Sequence, residues 1–407
     1  MPEPVRTYGV ILLVIGLLAG CTDVRTQVVK PDAPWSVRIA DSFLARHPGN
    51  VTFDTGAPGE KWNYEQGLML VALTRMSGFT GDHKYSRFVE GNLDRYIGEH
   101  GEIKSYKLTD YTLDNIGPGR ALISTYLETK REKYRWAADT LRKQLAGQPR
   151  THEGGFWHKK IYPDQMWLDG LFMAEPFYAD YATAFHEPSD YDDIANQFIF
   201  IARHTFDTST GLFFHGWDES KKERWSNPQT GCSASIWGRA IGWYAMGLAD
   251  VLDFFPQDHP KRDTLVTILR NLCSSLSMSR DQQTGLWYLI INKGPENGNY
   301  IEASASCMFA YCFAKCANQG YVEKKYASIA EEVFRSITEH FVTRNADGTI
   351  DLNGTCGSAG LGGTPYRDGS LESYVREGKR TNDMRGLGPF LLAAIEIERG
   401  EEHERSN

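Results

Sequence analysis

Tyr162-Pro-Asp-Gln-Met-Trp-Leu-Asp-Gly-Leu-Phe-Met173 is apolar around most of a helical circumference, whereas the preceding Lys133-Tyr-Arg-Trp-Ala-Ala-Asp-Thr-Leu-Arg-Lys143 has an apolar stripe and a charged face. A helix crowded on every side is apolar all round, and one lying on a surface is apolar along one stripe. The same contrast recurs in both directions along the chain. Marking each amphipathic stretch gives twelve, near residues 35–46, 62–77, 82–98, 113–128, 131–146, 164–183, 189–204, 233–253, 259–278, 300–318, 322–341 and 383–399. Even-numbered stretches are the more apolar and contain Gly67, Gly117, Gly119, Gly170, Gly238 and Gly242, as close packing requires. Strand-like runs are few and short, Leu286-Trp-Tyr-Leu-Ile-Ile291 being the clearest. Six hairpins, each pairing an inner with an outer helix, predict an all-α (α/α)6 barrel.

A chain of 407 residues that is 41% hydrophobic can bury a large core, and no Pro/Gly/Ser-rich linker divides its body. A net charge of -8 without a long Lys/Arg run argues against a nucleic-acid surface. Near the start, Val10-Ile-Leu-Leu-Val-Ile-Gly-Leu-Leu-Ala19 is short for a membrane span and runs into Gly20-Cys21. This resembles a bacterial lipoprotein signal, which implies a signal peptide over residues 1–20, lipid on Cys21, a tether over 21–33 and an extracytoplasmic body over 34–407. The lipid would be the only membrane contact. Six further cysteines, Cys232, Cys273, Cys307, Cys312, Cys316 and Cys356, match no zinc pattern and read as buried thiols.

Chemistry-bearing residues gather at the starts of the even stretches. Asp169 shares a helical face with Met166, Phe172 and Met173, which makes it a candidate proton donor with a raised pKa, or else half of a buried ion pair with Arg239. Asp114, just before Pro118, is a second cavity carboxylate or a helix cap. Two carboxylates facing one cavity would push one pKa upward. Arg239, between Trp237 and Trp243, is read as gripping a carboxylate while the indoles stack on a sugar, the alternative being an internal Arg-Trp stack. His158 and Lys159 read as sugar contacts or a solvated turn, and His215 as a loop histidine. Neither His152 nor His158 has a third ligand at metal spacing, so neither a metal nor an organic cofactor is expected. Parallel inner helices would converge their positive N-terminal ends on this mouth, favouring an anionic ligand. The Gly-rich run Asn353 to Gly369 would overhang it.

Trp62-Asn-Tyr-Glu-Gln-Gly67, Leu113-Asp-Asn-Ile-Gly-Pro-Gly119, Gln165-Met-Trp-Leu-Asp-Gly-Leu-Phe-Met173, Ser235-Ile-Trp-Gly-Arg-Ala-Ile-Gly-Trp243 and Gly360-Leu-Gly-Gly-Thr-Pro-Tyr-Arg-Asp-Gly369, in that order, form a specific set. Together they resemble the unsaturated rhamnogalacturonyl hydrolases of glycoside hydrolase family 105 and, more distantly, the unsaturated glucuronyl hydrolases of family 88. The resemblance implies the barrel and an activity, removal of a 4,5-unsaturated uronic acid from the non-reducing end of lyase-generated oligosaccharides. It implies Asp169 as general acid/base and Asp114 as its companion carboxylate. Trp167, His215, Trp237, Arg239, Trp243 and Tyr64 take substrate-contacting positions, with Arg239 as the uronate clamp. A conventional inverting glycosidase and a non-catalytic glycan-binding lipoprotein are the competing readings.

Overall fold

The structure, a computed structural model, describes residues 1, 29–30, 32–51, 61–296 and 298–406. Cys21 and most of the expected signal and tether lie outside the described residues. Among the described residues thirteen α-helices dominate. Six form an outer ring: α1 (Trp35–Arg46), α3 (Lys84–Tyr96), α5 (Glu132–Gly147), α7 (Asp190–Thr205), α9 (Arg262–Met278) and α11 (Lys325–Phe341). Six form an inner ring: α2 (Tyr64–Thr80), α4 (Gly119–Thr129), α6 (Leu168–Phe185), α8 (Gly238–Val251), α10 (Ala303–Asn318) and α13 (Met384–Ser406). Each inner helix packs on the next, and α13 returns to α2, so the ring closes. This is the (α/α)6 barrel that the alternation of apolar character predicts.

Burial follows the sequence pattern. Every residue of α8 is buried, whereas α11 buries only Tyr326, Ala330, Val333, Phe334 and Ile337, one stripe at helical spacing. Close approach between inner helices explains two of the glycines. A Cβ on Gly67 would stand 2.7 Å from Pro118, and one on Gly242 would stand 2.8 Å from the Met308 Cβ. Such overlaps would force the helices apart.

Three details differ from the sequence expectation. The stretch predicted as helix from residue 113 begins with a 3-10 turn (Leu113–Asn115), and α4 starts only after Pro118. The run Leu286 to Ile291 makes isolated bridges, Trp237 with Ile290 and Tyr288 with Ile301, instead of a ladder, because it is spent tying the starts of α8 and α10 together. A thirteenth helix, α12 (Leu371–Val375), follows the Gly-rich loop. Four small antiparallel sheets brace the connections: β1 (Gln165–Trp167) with β4 (Gly216–Asp218), β2 (Phe206–Asp207) with β3 (Leu212–Phe213), β5 (Val342–Arg344) with β6 (Ile350–Leu352), and β7 (Thr355–Cys356) with β8 (Lys379–Arg380). The six cysteines after Cys21 are buried free thiols. The sulfurs of Cys273, Cys312 and Cys316 gather within 4.8 Å of one another between α9 and α10. Among the described residues no helix is long and apolar enough to cross a membrane.

Candidate active site

A cavity of about 800 Å³ opens at the end of the barrel where the inner helices begin, and Tyr64, Asp114, His158, Lys159, Trp167 and Asp169 all line it. Ser358, Ala359 and Arg367 of the Gly-rich loop lie over one side. Asn63 and Glu302 cap α2 and α10 by accepting backbone N–H bonds.

Asp169 is the second residue of α6, immediately after β1. The β1–β4 pairing sets Trp167 opposite Gly216, and the Leu168 N–H donates to the His215 carbonyl at 3.0 Å. That register brings the His215 side chain to Asp169, with Nε2 2.9 Å from Oδ2. Neither atom completes an aligned hydrogen bond, so this is an ion contact off the N–H direction of the ring. On its far side, His215 Nδ1 lies 2.6 Å from the Tyr374 hydroxyl of α12. Both His215 and Tyr374 are buried, which leaves a chain of Tyr374, His215 and Asp169 with only its last member facing the cavity.

A second backbone bridge, Thr112 with Lys159, places Asp114. Lys159 Nζ stands 2.5 Å from Asp114 Oδ2, and His158 Nε2 stands 3.4 Å from Oδ1. His158 also stacks on Trp167 at 4.5 Å between centroids, and Trp167 stacks on Tyr162 at 5.0 Å. The result is an aromatic ladder along one wall, of the kind on which sugar rings pack.

The electrostatics correct one expectation. Burial pushes the Asp169 carboxyl up, but the adjacent His215 outweighs it and holds the carboxyl below its ordinary value. Burial likewise pushes Asp114 up, and Lys159 with His158 pulls it down further. Each acid has its own basic partner, His215 for Asp169 and Lys159 for Asp114. Burial drives His158 down to about 4, keeping its imidazole neutral in the stack.

Arg239 is the second correction. Its guanidinium donates to the carbonyls of Cys356, at 2.6 Å, and Gly357, and lies over Trp237 at 4.7 Å. Glu302 accepts from the Cys356 N–H at 2.8 Å, so two buried charged side chains grip the same point of the Gly-rich loop. Arg239 therefore stands behind the wall as an internal stack, and it is no ion-pair partner of Asp169. Trp237 packs against Tyr374 at 5.2 Å, and Trp243 packs against Phe172 at 4.7 Å and edge-on to Tyr64 at 6.2 Å. Neither indole lines the cavity. Tyr64 does reach it, and burial raises its phenol.

Tyr162, Arg367 and Tyr374 are functional candidates that the sequence reading did not single out. Tyr162 and Arg367 lay inside the quoted motifs and could have been flagged by their company. Tyr374 carried no signal.

The sequence family settles what this architecture is. The family model described as Glycosyl Hydrolase Family 88 matches residues 35–400. The chain belongs to that family. Within it, the chain is similar to a solved family 105 glycoside hydrolase from C. acetobutylicum ATCC 824, with 41% identity and a TM-score of 0.86, covering 90% of this chain and 100% of that one. It therefore stands with the family 105 glycoside hydrolases related to family 88. Among curated proteins it is 34% identical over 230 residues to Protein Atu3128 of Agrobacterium fabrum, covering 55% of this chain and 97% of that protein. It is 25% identical over 280 residues to the unsaturated rhamnogalacturonyl hydrolase YesR of Bacillus subtilis, covering 67% of this chain and 76% of that one. This family 88 chain is thus a glycoside hydrolase.

Proposed function

We propose that this hydrolase removes a 4,5-unsaturated uronic acid from the non-reducing end of lyase-generated oligosaccharides by hydrating the C4–C5 double bond. The observation that carries the reading is the buried Tyr374, His215 and Asp169 chain ending at a cavity with an aromatic wall. The similarity to YesR supports the substrate class.

An ordinary glycosidase places two carboxyl groups around the anomeric carbon. An enol ether needs only one proton donor, above C4. In the resting site a single proton serves Asp169 and His215. With Nδ1 donating to the Tyr374 hydroxyl, that proton lies either on Nε2, beside the carboxylate, or on the Asp169 carboxyl, beside a bare Nε2. An anionic uronate entering beside Asp169 expels water and adds negative charge, and both effects favour the carboxyl form. Asp169 then gives its proton to C4, and positive charge develops between C5 and the ring oxygen. Water adds at C5 and returns a proton to Asp169. The resulting hemiketal opens, C1 becomes a hemiacetal, and the aglycone leaves. Asp114, kept anionic by Lys159, accepts hydrogen bonds from the sugar hydroxyls and stabilises the cation.

Asp169→Asn should lower kcat by about 10³-fold, read as loss of the conjugated ultraviolet absorbance of the substrate, with an unchanged melting temperature. Retained turnover would remove Asp169 from this role. Turnover of saturated glycosides instead would favour conventional inversion.

A further inference from the structure

With Arg239 committed to the Gly-rich loop, the carboxylate of the proposed substrate has no assigned partner. We infer that Arg367 is the specificity-determining residue that takes the uronate carboxylate, an inference that rests on the proposed function.

Four flexible cations line the cavity: Lys61, Lys159, Lys160 and Arg367. Lys159 is taken by Asp114. Lys160 is exposed, lies over Tyr111 at 5.6 Å and points to the Thr109 carbonyl at 3.5 Å. Lys61 is exposed at the rim. Arg367 differs from all three. It is half-buried, and its Nε donates to the Gly362 carbonyl at 3.2 Å, which fixes the plane of the fork. Among the described residues, neither of its terminal nitrogens has a protein acceptor, and no carboxylate stands within ion-pair distance.

The loop is shaped around that fork. A Cβ on Gly360 would sit 3.0 Å from one terminal nitrogen, and a Cβ on Gly363 would sit 3.3 Å from the other and 3.3 Å from the Tyr162 hydroxyl. Side chains at these two positions would crowd the guanidinium, so the glycines keep both donors open. Tyr162 in turn stacks on Trp167, two residues before Asp169. Both Arg367 and Asp169 act electrostatically on the buried Tyr374 phenol, which puts the open fork and the proton donor in one neighbourhood. A planar, permanently charged fork with two free donors matches a carboxylate bidentately, which a lysine cannot do.

The test compares an unsaturated uronyl disaccharide with its methyl ester, which keeps the double bond and loses the charge. Arg367→Gln should raise KM for the free acid about ten- to a hundredfold, and for the ester only about twofold. Arg367→Lys should restore part of the loss for the acid alone. Should the Gln variant not fold, the Lys variant makes the same comparison. Equal changes for acid and ester, or no change for either, would overturn the inference while wild-type turnover leaves the hydrolase reading standing. A wild-type protein inactive on both substrates overturns the two together.

Discussion

The two ends of the barrel are built from the same six inner helices and both carry charged side chains, yet those charges are paired differently. At the far end, where the helices finish, Asp250 is fully buried and is met by Arg120 at 2.7 Å, Lys315 at 2.7 Å, Arg75 at 3.1 Å and the Tyr311 hydroxyl at 2.5 Å. Lys315 also reaches Asp253 at 2.5 Å. The cations answer the negative helix ends as well as the acids. A cavity of about 510 Å³ lies there too, and its Arg75, Arg120 and Lys315 are engaged with Asp250. At the mouth, pairing is of another kind: among the described residues Arg367 keeps two free donors, and Asp169 is met by a histidine instead of a lysine or arginine. Function sits where the pairing stops short.

The sharpest way to break this comparison is at Asp250. Asp250→Ala leaves the buried Arg120 and Lys315 and the half-buried Arg75 facing one another and should cost about 3–5 kcal/mol of stability, measured by denaturant unfolding, with KM unchanged in whatever remains folded. A large change in KM with little loss of stability would mean that the far end is no mere brace.

Acid should separate the two ends. His158 titrates at about 4 in the folded chain because burial disfavours its charge, and near 6.5 when unfolded. Below that unfolded value the unfolded chain binds the extra proton. The contribution of His158 is therefore complete above pH 6.5 and is lost as pH falls towards 4, on the order of 3 kcal/mol in all. Asp250 is held well below its ordinary value by Arg75, Lys315 and Arg120 against the opposing effect of burial. Its contribution persists until pH falls through that depressed value, so acid loosens the mouth first. His158→Gln should flatten the slope of unfolding free energy between pH 4 and 6.5. An unchanged slope would place the acid sensitivity elsewhere.

What the sequence made legible was what repeats. Twelve periodic stretches announced the barrel, and the apolar company of Asp169 and the Pro-Gly run after Asp114 marked both acids. The partners of those acids were harder to see. His215 reaches Asp169 only through the β1–β4 register, between segments 50 residues apart on strands of three residues each, too short to show a period. Tyr374 sits on a helix of five residues with no repeat to read. Arg239 was misread because two flanking tryptophans look the same whether an arginine grips a ligand or a loop. The carbonyls it holds are 117 and 118 residues away in the chain, and local pattern contains no trace of them.

That ambiguity between two arginines gives the smallest and most discriminating prediction. Arg239 donates to two successive carbonyls, a geometry that lysine, with a compact charge on a flexible stem, cannot reproduce. Arg239→Lys should cost about 1–2 kcal/mol, seen as a modest fall in melting temperature. Because the damage would pass through the loop that carries Arg367, turnover of the uronyl disaccharide and of its methyl ester should fall by the same factor. Substitution at Arg367 should separate the two substrates. A variant at position 239 that penalised the free acid alone would reverse the assignment, making the buried arginine the clamp and the loop arginine the support.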